Sequence, residues 1–135
     1  MQIKNKNFFF GGNATFTAHN ASGEHYTFKI KGGSTKPFFV SLLKGPNNQS
    51  DYVYIGILDQ KSQKLRLTSK SKVNQDSKIV KIFNWAISAV SNSKIPSGYG
   101  VLHENTCCRC GRALTTPESI LNGIGPECMK KHVNW

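Results

Sequence analysis

The chain has 135 residues, and its 18 Lys+Arg against 7 Asp+Glu give a formal charge of +11. That length fits one domain, or one domain with a small appendage, and 38% hydrophobic residues suffice for a modest core. No apolar run approaches the roughly 20 residues of a membrane-spanning helix. Met1–Phe10 lacks the apolar region of roughly 7–15 residues that a secretory leader needs, so a soluble, cytoplasmic protein is expected with no membrane partner. So large a cationic surplus points to a polyanion, because each phosphate neutralised by Lys or Arg releases a condensed counterion. Only Arg66, Arg109 and Arg112 are arginines. The remaining cations are lysines, which grip phosphate as point charges and read bases poorly. DNA or RNA bound with little sequence preference is therefore the expected partner.

From Phe8 to Thr68 short strands alternate with turn signals. Ala14–Ala18 leads into the turn Asn20–Gly23. His25–Lys31 alternates, with Tyr26, Phe28 and Ile30 on one face and Thr27, Lys29 and Lys31 on the other, until Gly32-Gly33 breaks the pattern. Phe38–Leu43, apolar except for Ser41, reads as a central strand buried on both faces. After the turn residues Gly45-Pro46-Asn47-Asn48 come Tyr52–Leu58, with Val53, Ile55 and Ile57 opposite Tyr52, Tyr54 and Leu58, and a short strand Lys64–Thr68. Tyr26, Tyr52 and Tyr54 could stack on unpaired bases, but at least two of the three are expected in the core. Asp76 or Ser77 can cap a helix. Its apolar stripe of Ile79, Ile82, Phe83, Ala86, Ile87 and Val90 would close the sheet. The expected fold is α+β: a small antiparallel meander packed on one amphipathic helix over residues 1–96, then a cysteine-bearing module over 97–135.

All four cysteines lie between Cys107 and Cys128. Cys107-x-x-Cys110 followed by Gly111 has the spacing of a metal knuckle, and Cys128 falls in the first turn of a helix announced by Gly125 and Pro126. A knuckle plus a helix N-terminal cysteine is the layout of a treble-clef-like zinc finger. Three thiolates leave a fourth place to fill in a structural zinc site. His132, one helical turn after Cys128, is the simpler choice on spacing, and His103, four residues before Cys107, competes. Thr115 or Thr116 would cap a short turn opened by Pro117 and ended by Asn122-Gly123, with Ile120 and Leu121 covering the site. Glu118 and Glu127 suit helix N-termini. Cys108 is the spare thiol, a packing residue or a hydrogen-bond donor to the site.

The text H-x3-C-x2-C-G-R-x-L-T-x-P-x-S-I-x2-G-I-G-P-x-C, running from His103 to Cys128, resembles DUF6011, a small zinc-finger family of unknown function found widely in bacteriophage and actinobacterial proteins. The preceding Phe39–Leu43, Gly45-Pro46 and Asp51-Tyr52 are similar to the region before that domain in phage proteins. In the family pattern a histidine precedes the knuckle where His103 stands, so the resemblance implies His103 as fourth ligand, with His132 as the alternative. Cys108 departs from the small or polar residue usual there.

Two basic regions would carry the nucleic-acid contact. One contains Lys64, Arg66, Lys70 and Lys72; the other, around the zinc, contains Arg109, Arg112, Lys130 and Lys131. No H-E-x-x-H, G-x-S-x-G or P-loop is present, so no enzyme is expected. A treble clef can host a nuclease, but His19 and His25 lie far off in the sheet. The alternative function is a protein-binding phage inhibitor of a host nuclease or defence complex, similar to an anti-CRISPR protein.

Overall fold

A computed structural model describes residues 1–33, 35–47 and 50–131. Five strands, β1 (Asn13–His19), β2 (His25–Gly33), β3 (Lys36–Leu43), β4 (Tyr52–Leu58) and β5 (Leu65–Arg66), run as the expected antiparallel meander. A sixth, β6 (Gly100–His103), pairs antiparallel with β1, giving the order β5-β4-β3-β2-β1-β6. An antiparallel sheet, a few short helices and a carboxy-terminal cysteine cluster make an α+β protein.

One face of the sheet is covered by α1 (Lys78–Ser91) and by a 3-10 turn over Lys6–Phe10. The Ser77 hydroxyl caps α1 by accepting from the Ile79 N–H. Val80, Phe83, Ala86, Ile87, Ala89 and Val90 are buried, while Ile79 and Ile82 are only half-buried. The contact line is thus rotated slightly from the expected stripe, because the sheet meets the helix along positions 80, 83, 87 and 90. Phe8–Phe10 do not begin a strand. They fold into the 3-10 turn, which drives Phe8 and Phe9 into the core. Ring contacts then link Phe9 to Phe16 at 5.0 Å, Phe16 to Phe28 at 5.4 Å and Phe28 to Phe83 at 5.3 Å. The Asn84 amide oxygen accepts the Leu65 N–H at 2.8 Å, which satisfies a donor on the edge strand β5.

The strand over Phe38–Leu43 is not buried on both faces. Phe38, Val40 and Leu42 are buried, whereas Phe39, on the second face, is 40% exposed. In β4 the regular alternation fails as well. A bulge opposite Val40/Ser41 leaves Ile55 unpaired between Tyr54 and Gly56, so Ile55 and Leu58 both enter the core and Ile57 turns outward. A Cβ at Gly56 would lie 2.7 Å from the Arg66 carbonyl oxygen, so the close approach of β5 requires glycine there. The same shift puts Tyr52 and Tyr54 on the open face and leaves only Tyr26 of the three tyrosines packed against the core.

The chain on both sides of residue 97 shares this one sheet. Residue Ile3 donates its N–H to the Val101 carbonyl, so β6 lies between β1 and the amino-terminal segment. Cys107, Cys108, Leu114 and Ile124 belong to the main hydrophobic cluster.

Candidate metal centre

The knuckle is a small hairpin. Thr106 and Ala113 form an isolated bridge, the Cys107 N–H donates to the Arg112 carbonyl at 2.8 Å, and the Gly111 N–H donates to the Cys107 carbonyl at 2.9 Å. Next comes α2 (Pro117–Asn122), capped by the Thr116 hydroxyl, which accepts the Ser119 N–H. It ends at Gly123, whose φ of 72° is left-handed; a Cβ there would also strike the Phe8 ring at 2.7 Å. Cys128 sits in the first turn of α3 (Pro126–Lys130), which opens on Gly125 and Pro126. Glu118 and Glu127 occupy the first turns of α2 and α3, where the helix dipole favours them.

This path brings the sulfur atoms of Cys107, Cys110 and Cys128 within 4.8 Å of one another, and none is in a disulfide. Sulfurs bound tetrahedrally at about 2.3 Å would stand about 3.8 Å apart, so the observed spacing needs little closure to hold an ion. Two backbone N–H groups, of Cys110 at 3.5 Å and Gly125 at 3.4 Å, point at the Cys107 sulfur. Burial alone would push the Cys107 thiol up; those donors, with the Arg109 N–H and the Cys110 side chain, outweigh it and bring the pKa down to about 7. Cys128 moves the other way, to about 11, through burial, hydrogen bonds to Cys110 and Cys107, and their negative charge. Three thiols this close cannot all ionise unless a cation joins them, and a thiophilic dication would supply that charge. Cys108 is fully buried in the hydrophobic cluster and stands outside the group; burial first, then Cys107, pushes its pKa up, so it stays a neutral packing thiol.

His103 is not brought into the cluster. It is 4% exposed and stacks on Phe8 at 5.8 Å. Its Nδ1 accepts the Asn105 N–H at 2.9 Å, which fixes the proton on Nε2, and that N–H donates to the Ile120 carbonyl at 2.6 Å. Both ring nitrogens therefore serve backbone groups, and the imidazole ties α2 to the end of β6. Burial, opposed by the Ile120 hydrogen bond, lowers its pKa and favours the neutral ring. Coordination by His103, the expected fourth ligand, would require breaking one of those bonds. His132 lies outside the described residues. Ile120 packs against the core, whereas Leu121 is 47% exposed.

The eight cations read as a nucleic-acid surface, Lys64, Arg66, Lys70, Lys72, Arg109, Arg112, Lys130 and Lys131, are all exposed. Among the described residues only Lys130 of these has an ion-pair partner, Glu127 at 3.6 Å. The two groups lie at opposite ends of the strand order: the first on or next to β5, the second in the segment that follows β6. His103's linking role was hidden in the sequence. Its only trace is Asn105, whose left-handed φ of 60° lets the chain turn back so that its N–H meets the ring.

Fold and site together define a small α+β protein with a three-cysteine cluster able to hold a metal. Residues 100–133 match the model of DUF6011, a family of unknown function, in agreement with the motif running from His103 to Cys128. No curated protein and no solved structure matches the chain.

Proposed function

We propose that Cys107, Cys110 and Cys128, with His132 as the fourth ligand, hold one structural Zn2+ in a treble-clef-like arrangement, and that the protein is a non-enzymatic accessory factor that binds DNA or RNA. The donor set supports zinc: thiolates with N–H groups aimed at sulfur, a knuckle and a first-turn helical cysteine. The sequence puts His132 four residues after Cys128. When bound, the ion supplies a cross-link and folding free energy, which in finger peptides reaches apparent values of about 10–16 kcal/mol. Four protein ligands leave no open position for activating water.

The observation that carries the nucleic-acid reading is the state of the eight cations. They are exposed and, Lys130 apart, lack a carboxylate partner among the described residues, on a chain of net charge +11. Arg109 and Arg112 stand on a hydrogen-bonded hairpin, so gripping phosphate costs them little ordering. The test pairs metal analysis with fluorescence polarisation on labelled oligonucleotides across salt. Binding should weaken linearly in log salt, and Arg109→Gln with Arg112→Gln should reduce the slope by about 1 for each phosphate no longer neutralised. Binding indifferent to salt, or absent at low salt, refutes the reading. Capture of a host protein complex by such a protein would favour the inhibitor reading instead.

A further inference from the structure

The uncovered face of the sheet carries an ordered set of side chains. Strand register lines up Asn13, Lys31, Phe39, Ile57 and Arg66 in one row across β1 to β5, each directly opposite the next. Residues paired this way project to the same face. The row exists because the bulge at Ile55-Gly56 turns Ile57 outward. It spans about 19 Å at the usual strand spacing. Its two ends meet the two basic groups: Arg66 belongs to one, and the Asn13 N–H donates to the Cys108 carbonyl inside the knuckle that bears the other. A second row, Thr15, Lys29, Ser41 and Tyr54, runs beside it.

The face is built for anions and flat rings. Phe39 is among the few exposed large hydrophobic side chains, and its ring lies 6.3 Å from that of Tyr54. The Lys29 ammonium sits 4.3 Å from the centre of the Tyr52 ring, which holds it over a trough of about 510 Å³ lined by Thr15, Thr17, Thr27 and Tyr52. The carboxylate bordering this trough is Glu104, which accepts from the Thr17 hydroxyl at 2.8 Å. Burial and the like charge of Lys31 lower the pKa of Lys29, a cost that an incoming phosphate would relieve.

We propose that this open face is a binding site for single-stranded nucleic acid, with Phe39 and Tyr54 as stacking platforms for unpaired bases and Lys29, Lys31 and Arg66 as phosphate contacts. A duplex keeps its base faces inside its own stack and can use the cations only. The site therefore selects single strands, while the knuckle arginines grip any phosphate backbone. This inference rests on the nucleic-acid reading above and names the form of its ligand.

Fluorescence polarisation of the full chain with labelled oligo(dT), oligo(rU) and a duplex, each about 12 units long, separates the two claims. Oligo(dT) and oligo(rU) should bind more tightly than the duplex, and a difference between them would report sensitivity to the 2′-hydroxyl. Phe39→Ala should weaken oligo(dT) binding by about 5- to 150-fold, the range for losing one stacked base, and leave duplex binding unchanged. Phe39→Trp should restore affinity, and the fluorescence it adds over wild type should be quenched by oligo(dT); it keeps the test open should the alanine variant misfold. Equal affinity for duplex and single strand, with both variants neutral, overturns the open-face site and leaves the basic-surface reading standing. No binding to any oligonucleotide at low salt overturns both.

Discussion

Replacing His103 with alanine deletes a buried ring whose Nε2–H serves the Ile120 carbonyl and whose Nδ1 serves the Asn105 N–H. A carbonyl left without its donor in a half-buried place costs about 1–3 kcal/mol. Asn105 is exposed, so water can take over its N–H and that loss adds little. Loss of the stack on Phe8 adds about 0.5–1.5 kcal/mol. The sum, about 1.5–4.5 kcal/mol, should lower Tm on the order of 10 °C in a chain of this size. Metal binding should survive, because the three sulfurs keep their knuckle and helix. His132→Ala should behave in the opposite way. If His132 is the fourth ligand, as proposed, its removal should cost more than the roughly 10–100-fold in metal affinity that losing a ligand's hydrogen-bond partner costs. Metal stoichiometry, thermal melts and the absorption spectrum of the Co2+-substituted protein distinguish the two variants. A Co2+ spectrum changed by His103→Ala and untouched by His132→Ala would refute this reasoning and return His103 to the coordination sphere.

Two further outcomes follow from the fold. Gly56→Ala drives a methyl group to 2.7 Å from the Arg66 carbonyl oxygen, a backbone atom that cannot swing away, so it should destabilise by about 1–3 kcal/mol in denaturant melts, and a neutral result would mean that β5 is not held against the bulge. His103 has a folded pKa below its ordinary value through burial, so the unfolded chain takes up a proton that the folded chain refuses. Its contribution is complete above about pH 6.5 and shrinks as pH falls toward the folded value. The fall in Tm from about pH 7 to about pH 6 should be shallower for His103→Gln than for wild type, and equal slopes would contradict the assignment.

Most elements were legible because their signals are local. The meander follows from period-two alternation and turn residues, α1 from its stripe and the Ser77 cap, and the cysteine knuckle from spacing alone. What stayed hidden depends on partners distant in sequence. Nothing within Tyr52–Leu58 announces a bulge at Ile55-Gly56; the glycine there answers to the Arg66 carbonyl ten residues on, and that bulge decides which tyrosines face outward. The apolar run Phe38–Leu43 looks doubly buried only if a second layer exists, and the single long helix can cover one face. His103 looks like a ligand by spacing, yet its fate is set by Ile120, seventeen residues away, and by the turn at Asn105.

The cysteine segment differs from a finger tethered by a linker. Its first strand, β6, is hydrogen-bonded into the sheet, and Cys107 and Cys108 are part of the main core, so its ordering and that of the sheet are shared. The Asn13 N–H is held by the Cys108 carbonyl, the residue beside the first thiolate. Asn13 begins both β1 and the row that ends at Arg66. An ion that fixes the knuckle therefore fixes one end of the open face and the position of Arg109 and Arg112 relative to Lys31. On the proposed reading a bound metal, although remote from any base, would set how well the two basic edges are aligned with the aromatic row between them. Chelation should accordingly lower affinity for single strands before the sheet itself melts.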